Sequence, residues 1–323
     1  MGIEWNEISS KSNGGTELLC RRFESSFEKD LLDNFQIIPT RVRELNADKI
    51  RILWIHDTVN DPECYNALSN NKWENFHLIV FVSHSQMQQF IVTYGIPWSK
   101  CCVIHNSIEP IEEHEKPTDK INLIYHTTPH RGLQILVPVF KKLYEEHSNI
   151  HLDVFSSFKI YGWEERDEPY KQLFEECKNH PGITYHGSVS NDQAREALKK
   201  SHIFAYPSIW PETSCLALIE AMSAKNICVH SNLGALYETA NNLTHMYHFH
   251  EDINVHASIF YNILNDIIKN YNSLKDGATS GKMFADSFYN WNIKKIQWEN
   301  ILNNLASNIK DRSLPKEKFV YQR

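Results

Sequence analysis

The sequence predicts an α/β protein built from two doubly wound domains, and three observations carry that prediction. Short apolar runs rich in β-formers alternate with segments of helical period, the pattern of a parallel sheet covered by helices. The stretch EPIEEHEKPTDK (109–120), with two prolines and seven charged residues in twelve, interrupts the alternation and reads as a linker kept out of any core. The length, 323 residues, is about two domains' worth of chain at roughly 150 residues each.

Taken in order, GGTELLCRRFESSFEKDLL (14–32) has helical period, IRILWIHD (50–57) and HLIVFVSH (77–84) read as strands, HSQMQQFIVTYGI (84–96) is helical, and CVIHNS (102–107) closes the first half. After the linker the alternation restarts with strands at 121–127, 151–157, 183–187, 202–207 and 226–231. Helical patterns lie between them, at 131–147, 190–201 and 215–225. MYHFHEDINVH (246–256) reads as a further strand with His248 and His250 on one face, and WNIKKIQWENILNNL is again helical. The expected division is a first domain over 1–110, a second over 111–285, and a helix and tail over 286–323 that cross back to the first.

Composition narrows the function. With 41% hydrophobic residues and few Gly and Pro, the chain has apolar surface to bury and no disordered character. The net charge of −7 argues against a broad grip on nucleic acid, although a local basic patch is compatible with it. No apolar run approaches the roughly 20 residues of a membrane span, and the N-terminus lacks a signal-peptide core and a myristoylation motif. Seven scattered cysteines without C-x-x-C spacing indicate neither a disulfide framework nor a zinc site, and fit a reducing cytoplasm. G-x-G-x-x-G, G-x-S-x-G and Asp-x-Asp are all missing. GATSGKM (277–283) resembles a P-loop but is one residue short and carries Met283 where a magnesium-binding hydroxyl belongs. No metal ligand set is predicted.

In doubly wound folds ligands bind in loops that follow strands. The unusual residues lie there: Gly14 and Gly15, His56 and Asp57, Thr127 to Arg131, Ser156 and Ser157, His186 and Gly187, and Ser208 to Ser214. Among these loops YPSIWPETSCLALIEAM (206–222) stands out, because it sets Glu212 and Glu220 in an otherwise apolar run. Thr213 or Ser214 is positioned to cap a helix starting near Cys215, with Glu212 at its mouth beside free N–H groups that attract anions. Glu220 then falls in the second turn, where an inward carboxylate needs hydrogen-bond donors, and a ribose diol would supply two. The plainer alternative is an exposed helix-start glutamate and a core-edge glutamate paired with a lysine.

The Glu-x7-Glu spacing of PETSCLALIEA, together with SNGGTELL, VIHNSIEP, IYHTTPHRGLQIL, ITYHGSVSNDQAREALKKSHIFAYPS and YNWNIKKIQWENIL, resembles the retaining GT-B glycosyltransferases of glycosyltransferase family 4 over nearly the whole chain. The resemblance implies two Rossmann-like domains facing a cleft and a nucleotide-diphosphate-sugar donor, with UDP or GDP as its nucleotide and no other cofactor. Glu212 would bind hydroxyls of the donor sugar, the Thr213 and Ser214 amides the distal phosphate, and Glu220 the ribose. Where family members carry Gly-Arg and then Lys-Gly, this chain has His126, Thr127 and Thr128 and then Arg131 with Gly132. Arg131 would therefore be the one side-chain cation for the diphosphate, its planar fork taking two phosphate oxygens. Gly14 and Gly15 would allow close approach of phosphate or sugar, and His56 would stand beside the donor sugar. Ser156 would join the donor loops, and His186 and Gly187 would hold the base.

The resulting expectation is a metal-independent glycosyltransferase, catalysed through Glu212, Arg131 and His56, with no residue assigned as a nucleophile. Its acceptor would be a glycan, a lipid-linked sugar, a small molecule or a nucleic acid, and its location the cytoplasm, free or peripheral at a membrane. A nucleotide-sugar epimerase and an inactive nucleotide-sugar-binding subunit are the alternatives.

Overall fold

The computed structural model describes residues 2–5, 12–310 and 312–313. It divides into two compact units: residues up to Ser107 together with those from Trp291 onward, and Ile108–Asn290.

In the first unit four parallel strands lie side by side in chain order, β1 (Phe35–Pro39), β2 (Ile50–Ile55), β3 (Leu78–Phe81) and β4 (Cys101–Val103). β1 was not expected: its five residues are all buried, but Gln36 and a terminal proline break the apolar signature that marks β2 and β3. The helical stretch predicted over 14–32 is two helices, Gly15–Ser26 and Lys29–Leu32, because Phe27 is extended between them. Helix His84–Tyr94 is capped by Ser83, whose side chain accepts from the Gln86 N–H, and closed by Gly95 at φ +66°. The terminal helix Trp291–Asn308 belongs to this unit. Trp298, fully buried, packs its ring against Phe23 (4.9 Å between centroids) and Trp54 (5.0 Å), and Trp291 Nε1 donates to Ser26 Oγ at 3.0 Å.

The second unit holds six parallel strands: β5 (Ile121–Tyr125), β6 (Ile150–Val154), β7 (Ile183–Tyr185), β8 (Ile203–Tyr206), β9 (Ile227–Ser231) and β10 (His245–Tyr247). Their order across the sheet is β10-β9-β8-β5-β6-β7. Counted from β5 this is the 3-2-1-4-5-6 winding of dinucleotide folds, in which chain direction across the sheet reverses between the first and fourth strands. That reversal places the ends of β5 and β8 side by side, with the loops that follow them, at the position where such folds bind ligands.

Two local expectations are corrected, and one exclusion gains a structural reason. The stretch 109–120 is not a free linker: Ile111 is buried, and its N–H donates to Ser223 Oγ at 2.8 Å. The Lys116 ammonium donates to the carbonyls of Leu198, Ser201 and Ala224 and to Asn226 Oδ1, at the carboxyl ends of helices Asn191–Lys200 and Leu216–Ser223. The amine meets the negative ends of two helix dipoles there while burial lowers its pKa to about 7, so this stretch packs through hydrogen bonds from Lys116 to those carbonyls. GATSGKM, excluded as a phosphate loop by its sequence, has Lys282 inside helix Ala278–Phe288. Buried, it donates to the Ile111 and Ser223 carbonyls and pairs with Asp286 at 2.8 Å. Finally, the strand expected over 246–256 ends at Tyr247, since Asp252 accepts from the Asn254 and Val255 N–H groups and starts helix Ile253–Lys269. His248 and His250 fall in the loop between and share no strand face.

Candidate active site

The site is assembled where the loops after β5 and β8 meet. Their approach is close: the Ile209 N–H donates to the Arg131 carbonyl at 3.2 Å, and Gly132, at φ +135°, has no room for a side chain. A Cβ there would lie 2.3 Å from the Pro207 carbonyl oxygen. Glycine is thus required twice over, by conformation and by space.

This contact brings Arg131 to Glu212. The Arg131 Nη1 donates to Glu212 Oε1, and so does the hydroxyl of Tyr206, the fully buried last residue of β8. Arg131 is further fixed by Nε donating to Thr128 Oγ1 at 3.1 Å and by lying 5.6 Å from the centre of the Trp210 ring. The partners differ in exposure, 21% for the Arg131 side chain against 6% for Glu212. The Glu212 backbone is held from behind. It bridges Gly234, where a Cβ would come within 2.4 Å of the Glu212 carbonyl oxygen, and its carbonyl accepts from the Ala235 N–H at 2.7 Å.

The other polar groups of the β5 loop carry no charge at neutral pH. Burial lowers the His126 pKa to about 4, and its ring lies edge-on to Phe204 with both nitrogens enclosed and without a hydrogen-bond partner among the described residues. Burial, with the Arg131 and Arg166 charges added, does the same to His130, stacked on Phe158 and edge-on to Trp210. Arg131 is accordingly the one cation of its loop. Thr128 is buried and its carbonyl accepts from the Tyr125 hydroxyl at 2.9 Å, while Thr127 is half-buried.

Helix Leu216–Ser223 begins one residue later than a Ser214 cap requires and two later than a Thr213 cap does. Its N-cap is Cys215, which makes no side-chain cap bond, and Thr213 and Ser214 form the turn before it. Glu220 is buried in the second turn, as its position in the sequence implies, and its partners include Asn191 and Arg195. Asn191 Nδ2 lies 3.1 and 3.3 Å from its two oxygens and Arg195 Nη1 lies 3.2 Å from Oε1, while Arg195 Nη2 donates to the Glu109 carbonyl.

After β6, Ser156 is buried and its Oγ has no hydrogen-bond partner among the described residues, although its carbonyl accepts from Tyr185 OH at 2.8 Å. After β7, His186 Nε2 lies 2.7 Å from Asp153 Oδ1 with its ring stacked on Phe155 at 4.1 Å, and Gly187 follows at φ +67°.

Gly14, Gly15 and His56 belong to the other unit. Gly14 is the N-cap of helix Gly15–Ser26, whose first turn carries the buried Glu17. Burial raises that carboxyl's pKa, against a hydrogen bond from its own backbone N–H, so an acidic group already faces this helix start. His56 ends β2 with its N–H donating to Thr40 Oγ1 at 2.9 Å and its ring 4.6 Å from that of Trp54. Burial lowers its pKa to about 3.

Sequence reasoning missed Tyr206, Trp210, Asn191, Arg195 and Gly234. Tyr206 left a signal, a polar tip at the end of the apolar run IFAYPS, and Gly234 another, a glycine just after a strand.

Solved structures with this arrangement are GT-B glycosyltransferases, and the chain has that fold, two Rossmann-like α/β domains. A glycosyltransferase from Rickettsia africae ESF-5 is similar at TM-score 0.66 and 17% identity, over 94% of this chain and 85% of that one. The Anabaena protein HepE, crystallised with UDP-glucose, has TM-score 0.64 and 12% identity over 90% and 82%. Sucrose-phosphate synthase from Thermosynechococcus elongatus has TM-score 0.65 and 14% identity over 91% and 79%. None of the curated proteins matches the chain by sequence. Among the described residues no helix is long and apolar enough to cross a membrane. The model of the family glycosyl transferases group 1 matches residues 106–280, more than half of the chain and every residue of the β5–β8 site, and the protein is therefore a member of that family.

Proposed function

We propose that the protein transfers a sugar from a nucleoside-diphosphate sugar to an acceptor hydroxyl with retention of anomeric configuration and without a divalent metal. The observation that carries this reading is the meeting of Arg131 and Glu212 at the point where the strand order reverses, inside the part of the chain that matches the family. Arg131 binds the diphosphate, joined by the Thr213 and Ser214 amides and the Thr127–Thr128 turn. Glu212 takes hydroxyls of the donor sugar. Glu220, oriented by Asn191 and Arg195, accepts from the ribose, and the Ser156 hydroxyl, His186 and Gly187 lie along the base side.

As the anomeric bond breaks, charge gathers on the departing diphosphate, where a preorganised guanidinium and helix-start amides stabilise it without a metal. The acceptor oxygen attacks the same face, and its proton passes to an oxygen of the departing diphosphate. His56, held neutral by burial, and the Gly14–Gly15 turn serve the sugar and acceptor side, where the acidic Glu17 suits hydroxyls better than phosphate. Uridine is the favoured base, on the similarity to HepE, which was crystallised with UDP-glucose; GDP is the second candidate. Glycans, lipid-linked sugars and small molecules are the acceptor classes to try. The seven cysteines, none of them paired, fit a cytoplasmic enzyme.

Thermal shift with UDP-, GDP- and ADP-sugars identifies the donor, after which turnover is followed with and without EDTA. Free nucleoside diphosphate together with an acceptor carrying the donor's anomeric configuration is the expected result. A changed sugar still attached to its nucleotide, or binding without turnover, would overturn the reading. Activity abolished by EDTA and restored by manganese would overturn the metal-free mechanism.

A further inference from the structure

The assignment of Arg131 to the diphosphate meets a complication, because its guanidinium is already paired with Glu212. A ligand phosphate has to take Arg131 from a carboxylate that is nearly buried and whose only other described acidic-oxygen partner is the Tyr206 hydroxyl. The Glu212 main chain cannot follow the arginine. Its backbone is locked against Gly234, with no space for even a Cβ, and against the Ala235 N–H.

From this geometry we infer that Glu212 is a specificity-determining residue that competes with the diphosphate for Arg131, so that the site favours intact donor over the free nucleoside diphosphate it produces. When a nucleotide sugar binds, Arg131 turns its charge to the phosphates and the sugar hydroxyls replace it as donors to Glu212. Both charges stay satisfied. When free nucleoside diphosphate binds, no hydroxyl arrives, and a buried carboxylate is left with a weakened partner, which is costly. After transfer the ion pair re-forms as the product leaves. The inference rests on the proposed role of Arg131, and it reverses the usual expectation that removing a site residue weakens binding.

Calorimetry with UDP, GDP and ADP, and with their glucose conjugates, tests it on the whole chain. Glu212→Gln keeps the shape and an acceptor for Tyr206 but removes the competing charge. The nucleoside diphosphate that binds wild type should bind this variant about tenfold more tightly, the factor that 1.4 kcal/mol corresponds to. The matching nucleotide sugar should gain less than that or bind more weakly. In an Arg131→Ala background the Glu212→Gln gain should vanish, since the competition runs through that guanidinium. Should Glu212→Gln fail to fold, Glu212→Asp serves: with its backbone locked, the shorter side chain draws the carboxylate away from Arg131 and should also tighten the diphosphate.

Unchanged or weaker diphosphate binding by the folded Glu212 variant, with Arg131→Ala clearly weakened, overturns the competition and leaves the diphosphate role standing. A gain that persists in the Arg131→Ala background also overturns it. If Arg131→Ala binds the diphosphate as wild type does, or if none of the three nucleotides binds wild type, the underlying assignment itself falls.

Discussion

On the proposed mechanism negative charge gathers on the leaving diphosphate, and Arg131 is the one cation of its loop. Arg131→Ala should lower kcat about 10²-fold, the loss seen when one such transition-state donor is removed. It should also lower Tm, because Glu212 is then buried beside Tyr206 without its countercharge. Arg131→Lys separates the two effects: it keeps the ion pair and most of the Tm, but gives up two-point phosphate contact and recovers only part of kcat. Steady-state kinetics at saturating donor, beside melting curves, check both; an Ala variant within about threefold of wild type in kcat removes Arg131 from the chemistry. Asp57, next to His56, offers a test by pH. Burial, reinforced by Asp61, raises its carboxyl from 3.8 to about 6. The folded state therefore binds more protons than the unfolded one between about pH 4 and 6, so stability declines as pH rises through that window and the penalty is complete above it. Asp57→Asn should raise Tm at pH 7.5, by the equivalent of about 2–3 kcal/mol at most, and leave it nearly unchanged at pH 4. A Tm difference independent of pH would refute this. At this scale the carboxylates were legible because Glu212 and Glu220 interrupt an apolar run. Their partners were not, since Tyr206, Asn191 and Arg195 come from a strand and a helix that register places beside them and that sequence spacing cannot.

Elements were legible where a period and a punctuation mark coincide. Helix His84–Tyr94 has both, Ser83 before it and Gly95 after it. β1 has neither, and the helix after the β8 loop is started by Cys215, a residue no capping preference would select. The charged stretch 109–120 was misread because composition reports desolvation cost and not the carbonyls waiting at two helix ends for Lys116. Glycines separate two kinds of constraint in the same way. Gly95 and Gly132 both have positive φ, but a Cβ on Gly95 meets nothing within 4 Å, whereas one on Gly132 strikes the Pro207 carbonyl. Gly95→Ala should cost about 1 kcal/mol, the left-handed penalty alone. Gly132→Ala should cost more than about 2 kcal/mol and, by prising apart the loops that bring Arg131 to Glu212, reduce turnover further than its Tm change explains. Melting and kinetics on the two variants check the order; equal losses would mean that the Gly132–Pro207 approach is not a constraint.

For the molecule as a whole, the sequence carried the α/β alternation and the return of the last helix, but not the strand order, which depends on pairing between distant segments. That order locates the donor machinery in one unit. Every residue proposed to touch nucleotide or phosphate, from Thr127 to Glu220, lies in Ile108–Asn290, and one continuous core, from Ile108 and Ile111 through Leu264 to Tyr289, fills that unit from its own residues. Its two ends are also joined: Ile108 bridges Asn290, and the Ile108 N–H donates to the Tyr289 carbonyl at 2.8 Å. A unit whose termini pair with each other and whose core is self-contained has what independent folding requires. A fragment of residues 108–290 should therefore melt cooperatively and bind the cognate nucleoside diphosphate within about threefold of the whole chain, a difference under 1 kcal/mol. It should transfer no sugar, because Gly14, Gly15 and His56 are outside it. Calorimetry, circular dichroism and a transfer assay on the fragment decide the matter. A fragment that folds but binds no nucleotide would mean that the donor is held by residues of the other unit as well. One that melts without a cooperative transition would mean that the sheet needs its neighbour to fold.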